Sequence, residues 1–218
     1  VYRSTNAGQT WTALHGGLPT YGDLCPYSNC NFYPNYSNRI RLTVTPASPD
    51  TLYVLYGSPK GFTIGLYRSD DQGKTFTKRS STDPVSKDAN APAPLDLSKT
   101  NIFGYNDNDF KSQSNYTIAM AVSPRNANVI HVGAVDTWES DDGGRTWKRT
   151  SRWNDDPGNR EYVHADVHQL VDRGDSLYAA TDGGIYRSSD QGKTWESITK
   201  MTTGITIAQI YHVCASPQ

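Results

Sequence analysis

One ten-residue pattern recurs four times along the chain and limits it to a small set of folds. The copies are Tyr2-Arg3-Ser4-Thr5-Asn6-Ala7-Gly8-Gln9-Thr10-Trp11, Tyr67-Arg68-Ser69-Asp70-Asp71-Gln72-Gly73-Lys74-Thr75-Phe76, Trp138-Glu139-Ser140-Asp141-Asp142-Gly143-Gly144-Arg145-Thr146-Trp147 and Tyr186-Arg187-Ser188-Ser189-Asp190-Gln191-Gly192-Lys193-Thr194-Trp195. Four such matches in one chain are not chance. The pattern is how a β-hairpin with a specialised turn is written. The Asp or Asn side chain accepts hydrogen bonds from backbone N–H groups of its own turn, and the Gly supplies a positive φ that other residues resist. The aromatic three residues after the Gly is expected to be the first large buried side chain of the returning strand, anchoring it by burial worth roughly 2–3 kcal/mol.

Ahead of the later copies lie two further segments with period-two alternation, the mark of strands. They are Arg39 to Pro46 with Thr51 to Tyr56, Thr117 to Pro124 with Asn128 to Gly133, and His168 to Val171 with Ser176 to Ala180. Two strands followed by the hairpin make four antiparallel strands per unit. The copies start 65, 71 and 48 residues apart, which fits a unit of about 45 residues with insertions in the first two. The expected fold is all-β, a segment of a propeller of four-stranded blades. Residues 1–15 are read as the outer hairpin of a preceding blade, 16–38 as an insertion, 39–80 as a blade and 81–150 as a blade with an insertion at 81–115. Residues 162–200 are read as a further blade and 205–218 as the first strand of a following one. Three and a half blades do not close a ring, so the expected partner is the remainder of the propeller or another protein chain.

Ser-x-Asp-x-Gly-x-Thr-Trp resembles the Asp-box, or bacterial neuraminidase repeat. The whole chain resembles the repeat-bearing propellers of sialidases, xyloglucan-type glycoside hydrolases, sortilin-like receptors and photosystem assembly factors. The segment from Val163 through Asp182-Gly183-Gly184 to Ser188 is most similar to secreted bacterial repeat-containing proteins. The resemblance implies that the boxes lie on the rim away from the ligand face. The first copy departs from the pattern with Asn6 and the second ends in Phe76, and both changes keep the turn logic.

Twenty-one Lys+Arg against 22 Asp+Glu give a formal charge of −1, which excludes the positive field that general nucleic-acid binding needs. At 35% hydrophobic residues the chain is lean, yet Trp 5, Tyr 14 and Phe 5 supply the large side chains a disordered chain lacks. No run approaches the ~18 apolar residues of a membrane span, and residues 1–20 lack a signal-peptide layout, so no membrane insertion is expected. Cys25 and Cys30 flank Pro26 and Asn29, which favour a tight reversal. A disulfide there suits an oxidising compartment, the alternative being two reduced thiols. Cys214 reads as a small core residue. The expected location is extracellular, cell-surface or periplasmic.

Since the boxes read as structural, sites are sought in loops and innermost strands. His164-Ala165-Asp166-Val167-His168 is the sharpest group. On an extended strand His164, Asp166 and His168 share a face and converge near the propeller axis. The residue spacing is awkward for one zinc ion. Hydrogen bonding of buried histidines by Asp166 is favoured over contact with a substrate or ion. No metal or other cofactor is expected. Asn106 to Asp109 offers oxygen ligands of the kind calcium takes but lacks an EF-hand's Gly and Glu, so a solvated acidic turn is the plainer reading. Long loops at 16–38, with Tyr21, Tyr27, Phe32, Tyr33 and Tyr36, and at 80–115 suit a sugar or protein surface, or packing on neighbouring blades.

A glycoside hydrolase needs two carboxyl groups flanking a cleft, at about 5 Å or 6.5–9.5 Å, and Asp136, Glu161, Asp166 and Asp182 are the candidates. Arg39 and Arg41 weakly echo the sialidase arginine motif and otherwise read as a solvated strand face. Asn35-Tyr36-Ser37 and Asn115-Tyr116-Thr117 fit the glycosylation pattern. The leading functional expectation is a binding or scaffolding module of a larger secreted or cell-surface protein, with glycan as a possible ligand class. A glycoside hydrolase whose cleft is partly formed here is the rival.

Overall fold

The computed structural model describes residues 1–19, 39–57, 63–80 and 113–199. The tyrosine-rich loop, Cys25 and Cys30, Asn35, the Asn106 to Asp109 turn, Cys214 and the strand expected at 205–218 lie outside the described residues.

The first box closes a short hairpin, β1 (Tyr2–Arg3) and β2 (Thr12–Ala13). Three four-stranded antiparallel meanders follow. The first holds β3 (Arg39–Thr45), β4 (Ser48–Gly57), β5 (Thr63–Ser69) and β6 (Thr77–Ser80). The second holds β7 (Ala119–Val122), β8 (Ile130–Gly133), β9 (Thr137–Ser140) and β10 (Lys148–Arg149). The third holds β11 (Val167–Asp172), β12 (Leu177–Thr181), β13 (Gly184–Ser188) and β14 (Glu196–Ser197). Among the described residues there is no helix.

The sheets stack face to face because both faces of their central strands are apolar. On β4, Tyr53 and Leu55 pack with Ile118, Val122, Ile130 and Val132 of the second sheet. The alternate residues Leu52, Val54 and Tyr56 point the other way, against Leu14 and Leu18 beyond the first hairpin. The second sheet repeats the device: Ala119 and Ala121 pack on Val167, Leu170 and Leu177 of the third. Sequential meanders stacked with β3 beside β7 and β7 beside β11 are propeller blades, with the first strand of each innermost.

Each box turn is built alike. The Ser hydroxyl donates to the Asp or Asn oxygen, at 3.0, 2.7, 2.8 and 2.8 Å from Ser4, Ser69, Ser140 and Ser188. The same hydroxyl accepts the N–H of Gly8, Gly73, Gly144 and Gly192 at 2.7–2.8 Å. The Thr N–H donates to the Asp, and so does the Thr hydroxyl in the last three copies. Asn6 reverses that last bond, its Nδ2 donating to Thr10 Oγ1 at 2.8 Å. The Gly is left-handed in all four, and so is the residue before it: Ala7, Gln72, Gly143 and Gln191. Sequence reasoning missed this second left-handed position, which only the third copy fills with the residue best suited to it.

The box aromatics are not alike in burial. Phe76 and Trp195 are buried and Trp147 is half-buried, but Trp11 is 62% exposed, against the expectation that each would be buried. The reason lies in what each leans on. Trp147 Nε1 reaches Ser80 Oγ at the end of the preceding sheet, and Trp195 Nε1 reaches the Thr150 carbonyl. Among the described residues Trp11 leans only on its own turn, donating to the Gly8 carbonyl at 3.0 Å.

Candidate functional site

In each four-stranded meander the box turn and the turn between the first two strands share one end. The turn between the second and third strands lies at the opposite end, with the segments that lead into the first strand. His164 to Asp166, just ahead of β11, and Asp182-Gly183, between β12 and β13, therefore meet at the end away from the boxes. Tyr116, ahead of β7, and Arg39 and Arg41, at the start of β3, belong to the same end.

The strand does not extend back to His164 as alternation predicted. The chain bends at Ala165, Asp166 takes a left-handed φ of 66°, and β11 begins at Val167, with its N–H bonded to the Ala134 carbonyl at 2.6 Å. What gathers the residues is the facing turn. His168, 2% exposed, donates from Nε2 to Asp182 Oδ1 at 2.6 Å. The carboxylate that holds this buried histidine is thus Asp182, not Asp166 as expected. Tyr116, 42% exposed, sets its ring edge-on to His168 with centroids 5.4 Å apart.

His164 lies over Gly183, and a Cβ there would meet its ring at 2.3 Å. Its Nδ1 donates to the Ala165 carbonyl at 3.0 Å. Beneath it the Tyr186 hydroxyl bonds Tyr162 and the His164 backbone, and burial pushes that phenol up to about 12. Gly183→Ala is therefore expected to displace the His164 ring and to cost about 1–3 kcal/mol. A urea melt, with the His164 imidazole resonances as a local probe, reads both effects, and unchanged resonances would refute the close approach.

Asp166 is the least committed acid of the group. Its Oδ1 is buried and finds no hydrogen-bond donor among the described residues. Burial raises its carboxyl above the usual range and the charge of Asp182 raises it further, with His168 and His164 opposing. A buried acceptor without a donor is costly in a folded chain.

The other carboxylates have structural work. Asp136 is 1% exposed, and its Oδ1 accepts from the Trp153 N–H at 2.7 Å and Ser151 Oγ at 3.2 Å. Burial raises it to about 6. Glu161 pairs with Arg152 at 3.1 Å on the surface. Arg41 does not face solvent as a plain strand face would: its Nε donates to the Ile118 carbonyl at 2.6 Å and its Nη2 to the His168 carbonyl at 3.3 Å. It ties the first blade to the second and third near the axis. Among the described residues no three His, Cys, Asp or Glu side chains are placed to hold a metal ion.

Two segments match a known family, residues 138–149 the BNR/Asp-box repeat and residues 185–198 the BNR-Asp box repeat. The chain carries BNR/Asp-box repeats on propeller blades. Those two BNR matches cover the third and fourth boxes. No curated protein matches the chain. Among solved structures, the GH74 enzyme of Niastella koreensis superposes with a TM-score of 0.54 at 21% identity, over 90% of this chain and 26% of that one. An ancestral GH74 enzyme gives 0.48 at 17% identity, over 92% of this chain and 21% of that one. YCF48 from Cyanidioschyzon merolae gives 0.42 at 14% identity, over 76% and 41%. The likeness to the Niastella enzyme is one of fold, and this BNR-repeat chain spans about a quarter of its length.

Proposed function

We propose that the chain is a glycan-binding part of a larger secreted or cell-surface propeller, and that its ligand meets the end of the third blade at Asp166, Asp182, His168 and Tyr116. The observation that carries this reading is the buried Oδ1 of Asp166, which finds no donor among the described residues, at the blade end where His168 meets a half-exposed tyrosine ring. A carboxylate for hydroxyl groups next to an aromatic for the apolar face of a sugar is the chemistry carbohydrate recognition uses. Binding is favoured over hydrolysis because the second carboxyl group is lacking among the described residues. Asp136 is sealed in the protein, Glu161 is in a surface ion pair, and Asp182 is bonded to His168 on the same blade as Asp166.

Calorimetric titration with xyloglucan, arabinan and sialylated oligosaccharides tests this. Asp166→Asn and Tyr116→Ala are each expected to weaken the sugar that binds by about tenfold or more, about 1.4 kcal/mol, without sugar release by the parent protein. Absence of binding to every oligosaccharide would overturn the proposal. Sugar release that disappears in Asp166→Asn would replace it with the hydrolase.

A further inference from the structure

Three guanidinium groups crowd the seam between the first and second blades at the box end, opposite the end that holds Asp166 and His168. Arg79, on β6, donates from Nε to the Gly143 carbonyl at 2.9 Å and from Nη2 to the Asp142 carbonyl at 3.4 Å. Arg145, in the third box, brings its Nη1 to that same Asp142 oxygen at 2.9 Å. Arg68, on β5, reaches the same turn: a Cβ added at Gly143 would lie 2.8 Å from Arg79 Nη2 and 2.9 Å from Arg68 Nη1. Glycine at 143 thus serves the left-handed turn and also leaves room for both heads.

The carboxylates nearby do not balance these charges. Asp70 pairs with Arg68 at 2.7 Å, but among the described residues no acidic side chain lies within ion-pair distance of Arg79 or Arg145. Arg79 Nη1 and Arg145 Nε and Nη2 have no acceptor among those residues. Arg145 is exposed and Arg79 half-buried. Burial lowers the Arg79 guanidinium from its usual range and the charges of Arg145 and Arg68 lower it further, with Tyr53 and Asp70 opposing.

The next seam shows that joining two blades does not require such a cluster. At the places of Arg68, Arg79 and Arg145 it carries Glu139, Thr150 and Lys193, and Trp195 Nε1 closes it on the Thr150 carbonyl at 3.0 Å. Three cations stand where the following unit has one cation and one anion. The excess charge serves something other than the joint.

We propose that Arg79 and Arg145, supported by the charge of Arg68, form a site for a tetrahedral oxyanion, a sulfate or phosphate group, on the rim between the first and second blades. Two guanidinium forks from different blades, each with donors to spare, suit a group with enough oxygens to meet both. The two oxygens of a carboxylate would fill one fork only. The group arrives as the free ion or as an ester on a sugar, and the test separates the two.

The full chain is titrated calorimetrically with sodium sulfate, inorganic phosphate and a sulfated disaccharide, with sodium chloride holding the ionic strength constant. At least one probe should bind. Arg145→Gln, at an exposed position where the fold is not at stake, should weaken that binding by about tenfold or more. Arg79→Lys keeps the charge but loses the fork and should weaken it too. Lys193→Gln, the matching position of the fourth box, should leave it unchanged. The probe that binds should also raise the thermal midpoint of the parent and not that of Arg145→Gln. Tighter binding of the disaccharide than of free sulfate assigns the group to a glycan, and equal or weaker binding assigns it to the free ion. No binding of any probe overturns the proposal. Binding that Arg145→Gln leaves unchanged, or that Lys193→Gln weakens as much, means an adventitious ion only and overturns it as well.

Discussion

Gly144→Val is expected to unfold most of the protein under conditions where the parent is folded. Gly144 holds φ at +87°, a conformation β-branched residues avoid, and its N–H is bonded to Ser140 Oγ at 2.8 Å. A Cβ there would lie 2.2 Å from Leu66 Cδ2, in the core between the first and second blades where Leu66 is fully buried. Backbone strain and overpacking each cost about 1–3 kcal/mol, so about 4 kcal/mol in all, a large part of a domain's ordinary stability. Gly8→Val separates the two contributions. Gly8 has nearly the same φ of +84°, but its Cβ would find only Trp11 Cζ2 at 3.8 Å. It should lose only the strain. Urea denaturation of both variants decides, and equal losses would mean that the blade seam is not where the Gly144 variant fails.

The second large effect is at Asp142. Its carboxylate accepts bonds from the N–H groups of Arg145 and Thr146 and from the hydroxyls of Ser140 and Thr146. Burial by itself raises this carboxyl, but the bonds outweigh it and hold Asp142 below the usual range, as they do Asp190. The Thr75 hydroxyl and N–H hold Asp71 low in the same way. Asp142→Ala should cost about 2 kcal/mol, since bonds to a charged acceptor are lost together. A depressed carboxylate contributes stability that is present above its unfolded value near ~4 and lost as pH falls through its folded value. Asp136 acts in the opposite sense. Its carboxyl is raised to about 6 by burial, so its contribution is full below the unfolded value and lost as pH rises through the folded one. Thermal midpoints should therefore peak near pH ~4 and fall from there to about 6. Asp142→Ala should shallow the acid limb and Asp136→Asn the alkaline limb. A profile that neither variant changes would refute these assignments.

The blades were legible because their signals are local. Period-two runs such as Arg39 to Thr45, and turns closed within six residues of Ser69 or Ser140, leave little for distant contacts to decide. The site was only half legible for the converse reason. His164, Asp166 and His168 are neighbours in sequence, and alternation suggested a shared face. That alternation fails because Asp166 turns left-handed, and the acid that binds His168 comes from a turn fourteen residues later. The Asp182-Gly183-Gly184 run held a signal, since glycines where a chain turns back often mark close approach, here of His164. Nothing local in Arg41 told that it would reach a carbonyl 127 residues away. Trp11 shows the same limit from the other side: its box matches the others, and its burial depends on a neighbouring sheet.

The box turns also sit where neighbouring sheets meet. Arg79 of the first blade donates to the Gly143 carbonyl in the third box, while Trp147 of that box reaches back to Ser80. Arg3 reaches the Gln72 carbonyl in the second box in the same forward sense. The fastening between units is thus encoded inside the unit. A gene that duplicates one such stretch copies hook and eye together, so rings of different size can arise by tandem duplication without a new joint being invented for each.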